Sequence, residues 1–368
     1  MFEALQFESE AVSQNRSGDG AWSSSLLKVP VLIPKTRAVR VTTLLQTQDP
    51  DTVFSSLRRH NPELRKWTSR QFPGSAFEYA LKNANFEKLH QEFSEVFRLK
   101  KLITLGDSVC ALYVGDICQG SGFMLAGDFI MTNAHLLENA LLEDGKTLAV
   151  SVKALFNHEN NLIESEVLLM YEAYSGVIDL DKEMDYAVLR LKRGAKPMPP
   201  GLLPYFGPKP NAGGACIIGH PGDQVKKIDL TYIIGKKERE AAANQHLEPY
   251  DESARMIIVK EAVESGINEI WSSEEVITYN TVCMFHGSSG SPLMDANGRV
   301  VGIHSAGFVY EYEGLKHSVI EYAHPTLQIF ARFLSNVGPL DIESARDVGQ
   351  LSSTNPYLRD VILEYLIL

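Results

Sequence analysis

The spacing of apolar side chains divides this chain near residue 103. Between Ala76 and Leu102 they recur mostly at steps of three to five, as Phe77, Leu81, Phe86, Leu89, Phe93, Val96 and Phe97, while Lys88, Gln91, Glu92 and Glu95 take the other face. That period predicts an amphipathic helix over 77–102. From Ser108 the pattern shortens to that of strands, with apolar or alternating runs at 110–114, 122–125, 148–152 and 166–170 separated by turn residues. The Pro- and Gly-dense stretch 194–201 interrupts them. We therefore expect a β-dominated fold of two antiparallel barrels, one over about 103–193 and one over about 214–338. Residues 324–334 return to a helical period and predict a helix packed on the second barrel. The charged stretch 224–275 is longer than a minimal barrel needs and predicts mobile loops with a short helix. Residues 1–76 read as a flexible leader and a poorly defined region, and 339–368 as a tail.

Chemistry enters at Gly287-Ser288-Ser289-Gly290-Ser291-Pro292. A serine between glycines, in a tight turn ahead of a hairpin, is well placed to act as a nucleophile. Gly287 there allows the backbone N–H groups of Gly287 and Ser289 to converge as an oxyanion hole. Alone, these residues are equally well a Gly/Ser turn. A base and an acid in a fixed order change that balance. His135 follows the apolar strand end Ile130-Met131-Thr132, and Asp185 directly precedes Tyr186-Ala187-Val188-Leu189-Arg190-Leu191. The order His, Asp, Ser is the chymotrypsin order, not that of subtilisin or the α/β-hydrolases. Asp179, Asp181 and Glu183 compete for the role of the acid, and Asp185 is preferred because it alone abuts the strand. The pattern predicts a chymotrypsin/trypsin-like double barrel with an N-terminal amphipathic helix and a C-terminal helix. In it His135 takes the Ser289 Oγ proton, Asp185 orients the imidazole, and water hydrolyses an acyl-enzyme.

Register from the nucleophile assigns a specificity pocket. In a trypsin-type fold its floor lies six residues before the serine, at Cys283, and Ser305, Ala306 and Gly307 form the wall strand, with Gly307 leaving the entrance open. A neutral floor gives no ion pair for Lys or Arg, so an apolar or aromatic residue is expected before the scissile bond. Ser288 stands where secreted zymogens keep an Asp, so no N-terminal ammonium is needed to shape the oxyanion hole. Tyr232 and Tyr250, in the charged stretch, suit such a pocket as self-cleavage sites.

Several pieces together resemble one family. Gly120-Ser121-Gly122-Phe123, Ile130-Met131-Thr132 before His135, Asp185 with its strand, Ile217-Ile218-Gly219-His220-Pro221, Val276-Ile277-Thr278-Tyr279, the Ser289 turn and His304-Ser305-Ala306-Gly307-Phe308 are similar to the protease domain of the family with sequence similarity 111, a group of nuclear serine proteases. The resemblance runs from about Ser108 to Leu334. Bacterial HtrA-type proteases usually carry Gly-Gly-Pro after the nucleophile, where this chain has Gly290-Ser291-Pro292. What the resemblance implies is a nuclear location, roles in DNA replication and repair, action on DNA-bound proteins, a homodimer through the helix over 77–102, and weak DNA or chromatin association through the N-terminal region.

Composition narrows the setting. The four cysteines, at 110, 118, 216 and 283, do not flank His135 or Ser289 as secreted-protease disulfides would, and free thiols in an intracellular protein are expected. The first ten residues lack a secretory pattern, and no apolar run is long enough to span a bilayer, so neither secretion nor a membrane partner is expected. Forty-six acidic against thirty-five basic residues give −11, which disfavours whole-molecule attraction to nucleic acid. Neither a cofactor nor a metal is called for. Two rival readings are a zinc site from Cys216 and His220 with Cys283 and His286, whose spacing matches no recognised knuckle, and a catalytically silent protease-fold module for chromatin or protein interaction.

Overall fold

The computed structural model describes residues 93, 95–160, 167–264, 266–280, 287–312, 315–337 and 355–367. The expected leader, the N-terminal basic region and most of the aromatic stripe lie outside them. Helix α1, Val96–Gly106, is followed by six strands: β1 Val109–Val114, β2 Ile117–Ala126, β3 Phe129–Thr132, β4 Val152–Phe156, β5 Leu169–Asp181 and β6 Tyr186–Leu191. They close into an antiparallel barrel in the order β1-β2-β3-β6-β5-β4. After the crossing come β7 Gly213–Gly219 and β8 Lys227–Ile234, then helices α2 Arg239–Leu247, α3 Glu252–Glu264 and α4 Ile267–Ser272. Strands β9 Ile277–Tyr279, β10 Pro292–Asp295, β11 Val300–Tyr312 and β12 Leu315–Pro325 complete a second closed barrel, β10-β11-β12-β9-β8-β7. Helices α5, Thr326–Val337, and α6, Pro356–Ile367, follow.

The two-barrel expectation holds, and the departures from it have physical causes. Three helices stand where loops with one short helix were expected, because Ala243, Leu247, Ile258 and Ala262 bury against Phe308, Tyr310 and Ile320. Burial there outweighs a charged composition. The aromatic stripe also divides. Phe93 is 2 % exposed and packs in the protein's own core, whereas Val96, Phe97 and Ile103 are 65 %, 74 % and 63 % exposed. The segment after 338 is more than a tail, since Leu358 of α6 is 1 % exposed in the core that contains Phe330, Phe206 and Met294. Asn355 ties α6 to the crossing between barrels, donating from Nδ2 to Pro204 O (3.1 Å) and Phe206 O (2.8 Å).

The barrels meet at Ser121 in β2, a buried residue whose four hydrogen-bonding groups are all engaged. Its Oγ donates to Gly287 O (2.8 Å) and accepts from His220 N–H (2.9 Å); its N–H donates to Ser289 O (2.8 Å); its O accepts from Thr132 Oγ1–H (2.7 Å). His220 is buried, donates from Nδ1–H to Gln224 O (3.1 Å) and stacks on His158 with centroids 6.0 Å apart. Burial chiefly lowers its pKa, to about 4, so the ring is neutral near pH 7.

Two outcomes follow from this packing. Leu358→Ala is expected to cost about 2–5 kcal/mol in denaturant unfolding, while Leu363→Ala, at a site 48 % exposed, stays within about 0.5 kcal/mol. Because the folded pKa of His220 lies below the unfolded value near 6.5, the unfolded state binds the extra proton between them, and stability falls as pH drops from about 6.5 towards 4. Unfolding midpoints measured across that window should decline less steeply in His220→Gln, and an unchanged slope would reject the assignment.

Candidate active site

His135 and Asp185 meet because their strands do. In the β3–β6 ladder Thr132 pairs with Ala187, so the residues just beyond the end of β3 lie beside the one just before β6. Asp185 adopts φ 47°, a left-handed conformation that aspartate tolerates better than most residues, and this turns its carboxylate back towards His135. Asp185 Oδ1 accepts from His135 N–H (3.1 Å), and His135 Nδ1 lies 3.0 Å from Oδ1 and 2.9 Å from Oδ2. A carboxylate only accepts, so the proton sits on Nδ1 and Nε2 of the neutral ring is left with its lone pair. The side chain of Asp185 is 16 % exposed and that of His135 41 % exposed, which keeps the acid shielded and leaves the imidazole open to the cleft.

The competing acids are engaged elsewhere. Asp179 accepts from Tyr186 O–H (2.5 Å), and Arg332 of α5 pairs with Asp181 (3.3 Å) and Glu183 (2.9 Å). The geometry thus brings only Asp185, of the four, to His135.

Ser289 sits on a turn that only glycine can make at two points. Gly287 has φ 94°, and a Cβ there would lie 2.6 Å from His220 O; Gly290 has φ 85°, and its Cβ would lie 2.0 Å from Ser121 O. Among the described residues neither Gly287 N–H nor Ser289 N–H has an acceptor, the state required of amides that await an oxyanion. Ser289 Oγ donates to Ser305 O (3.1 Å), and among the described residues no hydrogen bond joins it to His135. Ser288 is fully buried, and among the described residues its Oγ has no hydrogen-bond partner.

Around these groups stand residues to which sequence reasoning gave no role. Asn133 Nδ2 donates to Asp185 O (2.7 Å) and Ser305 Oγ (3.3 Å), bracing the acid against the wall strand. His304 holds the nucleophile turn through its backbone, donating to Ser291 O and accepting from Gly290 N–H, each at 2.9 Å. Burial chiefly, and then the nearby His135, bring its ring pKa to about 4, so its Nδ1 accepts from Tyr279 O–H (2.6 Å). Tyr279 itself is raised well above 10 by burial and stays protonated. Asn133 and His304 each lie within a quoted motif, but their partners are 52 to 172 and 25 residues away, beyond the reach of local pattern.

Of the expected pocket, Cys283 lies outside the described residues. Ser305 is buried and Ala306 exposed on β11. The space that Gly307 leaves is taken by Glu321 of β12, whose Cγ would lie 2.4 Å from a Cβ on Gly307. Of the zinc reading, Cys283 and His286 lie outside the described residues, and burial drives the Cys216 thiol far up, which keeps it protonated. Cys110, Cys118 and Cys216 are free thiols. Among the described residues no helix is long and apolar enough to cross a membrane.

Comparison with known proteins gives the family. Residues 120–303, half of the chain, match the trypsin-like peptidase domain. The chain is 26 % identical over 284 residues to the serine protease FAM111A of Mus musculus, covering 73 % of this chain and 46 % of that protein. It is 32 % identical over 149 residues to the serine protease FAM111B of Homo sapiens, covering 39 % of this chain and 20 % of that protein. It therefore spans less than half the length of either relative. Among solved structures, the inactive form of Rv3671c from M. tuberculosis H37Rv aligns with TM-score 0.39 and 18 % identity over 66 % of this chain and 91 % of that one. The HtrA-type protease AlgW with a decapeptide aligns with TM-score 0.42 and 14 % identity over 65 % and 66 %. With its matched domain spanning His135, Asp185 and Ser289, and with FAM111 serine proteases among its relatives, the chain belongs to the trypsin-like peptidase family.

Proposed function

We propose that this chain is a serine endopeptidase in which Ser289 attacks the scissile carbonyl, His135 Nε2 takes its proton and returns it to the leaving amine, and Asp185 fixes the tautomer. The observation that carries the reading is the conjunction of a carboxylate-held His135 with a serine turn whose two amides, Gly287 and Ser289, have no acceptor among the described residues. Those amides stabilise the tetrahedral oxyanion, and water resolves the acyl-enzyme. Before attack, Ser289 Oγ leaves Ser305 O and rotates towards His135. The buried, uncharged Ser288 supports competence without a new N-terminus.

By register from Ser289, the uncharged Cys283 in the sequence supports a preference for an apolar or aromatic residue before the scissile bond. Likeness to the FAM111 proteases supports a nuclear enzyme acting on DNA-bound proteins in replication and repair, with chromatin or DNA contact through its N-terminal region. The charged stretch 224–275 supports self-cleavage, although Tyr232 is paired with Gly214 in β8 and Tyr250 is held by Tyr310. Self-association would use the exposed Val96, Phe97 and Ile103 of α1, because Phe93 is committed to the core.

A fluorophosphonate should label the wild type, and Ser289→Ala should lose both the label and hydrolysis, with kcat down by about 10⁴-fold or more. Retained labelling would end the nucleophile assignment. Library profiling of the wild type should return Phe or Tyr before the cut, and a basic residue would overturn the pocket reading. If α1 carries a dimer, Phe97→Asp halves the mass in light scattering, and an unchanged mass removes that surface from consideration.

A further inference from the structure

The second barrel carries a feature that peptide hydrolysis alone does not require. Strand β11 continues well past the barrel wall: β10 pairs with it only as far as Ile303, opposite Pro292, whereas its ladder with β12 runs on to Tyr312, opposite Leu315. Among the described residues no second strand lies beside β11 beyond Ile303. An edge of this length is normally kept short or covered, since its N–H and C=O groups recruit other chains.

The edge begins at the nucleophile. His304 spends its backbone groups on Gly290 and Ser291, and a bulge follows, after which Ser305 O accepts from Ser289 Oγ. Ser305 therefore faces the open side. In an antiparallel ladder successive residues turn their backbone groups to opposite neighbours, so Gly307, Val309 and Glu311 face that side with it. The second register shift, between Gly307 and Val309, places its extra residue on β12 and leaves the alternation of β11 intact.

A bare two-stranded hairpin would fray. This one is braced. Phe308, Tyr310 and Ile320 bury against Ala243, Leu247, Ile258 and Ala262 of α2 and α3. The Tyr310 hydroxyl donates to the Tyr250 hydroxyl (2.7 Å) and lies 2.6 Å from His246 Nε2. The helices cover a face of the hairpin and hold its edge straight. The charged insertion thereby acquires a role.

We propose that the edge of β11 beyond Gly307, from Val309 to Tyr312, is a track that prolongs main-chain pairing with an extended peptide, antiparallel, as far as the seventh substrate residue before the scissile bond. The proposal rests on the serine endopeptidase reading and deepens it. The residue before the cut gives its N–H to Ser305 O, displacing Ser289 Oγ, and the third, fifth and seventh lie beside Gly307, Val309 and Glu311. Affinity comes from main-chain hydrogen bonds, so the track accepts many sequences but demands an unfolded stretch. A folded loop presenting only three residues stops short of it.

The test is a set of peptides with Phe before the cut and three, five or seven residues upstream. The value of kcat/KM should rise about two- to tenfold with each added pair through the seventh residue. N-methylation at the fifth or seventh position should cancel the gain, and at the fourth or sixth should spare it. Saturation at three residues, or equal loss at odd and even positions, overturns the track. Anisotropy of the same labelled peptides bound to Ser289→Ala gives a readout free of turnover, in which length and odd-position N–H groups should again set Kd. Fluorophosphonate titration of the wild type keeps the readings apart: labelled enzyme without the length effect refutes the track alone, and unlabelled enzyme refutes the endopeptidase reading.

Discussion

The seam at Ser121 is the constraint on which the rest of the site depends. One small hydroxyl on the first barrel fixes both walls of the second barrel's nucleophile turn, through Gly287 O and His220 N–H, while its own N–H holds Ser289 O. A larger side chain has no room, because Gly219 and Gly290 crowd the same point; a Cβ on Gly219 would lie 3.0 Å from Ser121 Oγ. A site divided between two barrels needs its halves registered to a fraction of an ångström, since catalytic contributions fall steeply with misplacement. Here that registration comes from three hydrogen bonds at one residue, with a fourth, from Thr132, holding it within the first barrel, in a place water does not reach.

Around the seam, several buried ionisable groups are held neutral. His220 and His304 are neutral by burial, and Tyr279 is kept protonated. Asp185 is the acid that remains next to His135, and the neighbouring carboxylates Asp181 and Glu183 are drawn off by Arg332. The arrangement lets one negative charge act on the imidazolium that forms during attack without a second one opposing it.

How much of this was legible in the sequence depended on the range of the interaction. His135, Asp185 and the Ser289 turn could be read because each is marked by a strand end or a glycine pair, features written within a few residues. Two barrels could be read from strand period and from the break at 194–201. What escaped was set by contacts between distant segments. Ser121 was visible only as part of a motif, its partners being 99 and 166 residues away. The division of the aromatic stripe escaped because Phe93 and Phe97 carry the same local pattern and differ only in what lies opposite. The helices over 239–272 were hidden by surface charge, and α6 by an apolar run with no local clue to its dock. The pocket floor at Cys283 and the N-terminal region lie outside the described residues, so their expectations stand as they were.

The dock of α6 bears on the order in which the protein is made. Its Asn355 clasps the crossing between the barrels, and its Leu358 enters the core shared by β7, β10 and α5. Chains emerge from the ribosome N-terminus first, and domains tend to fold as they emerge. All twelve strands, and with them His135, Asp185 and Ser289, are therefore synthesised before α6, and the clasp on the crossing is the last of these contacts that translation makes available.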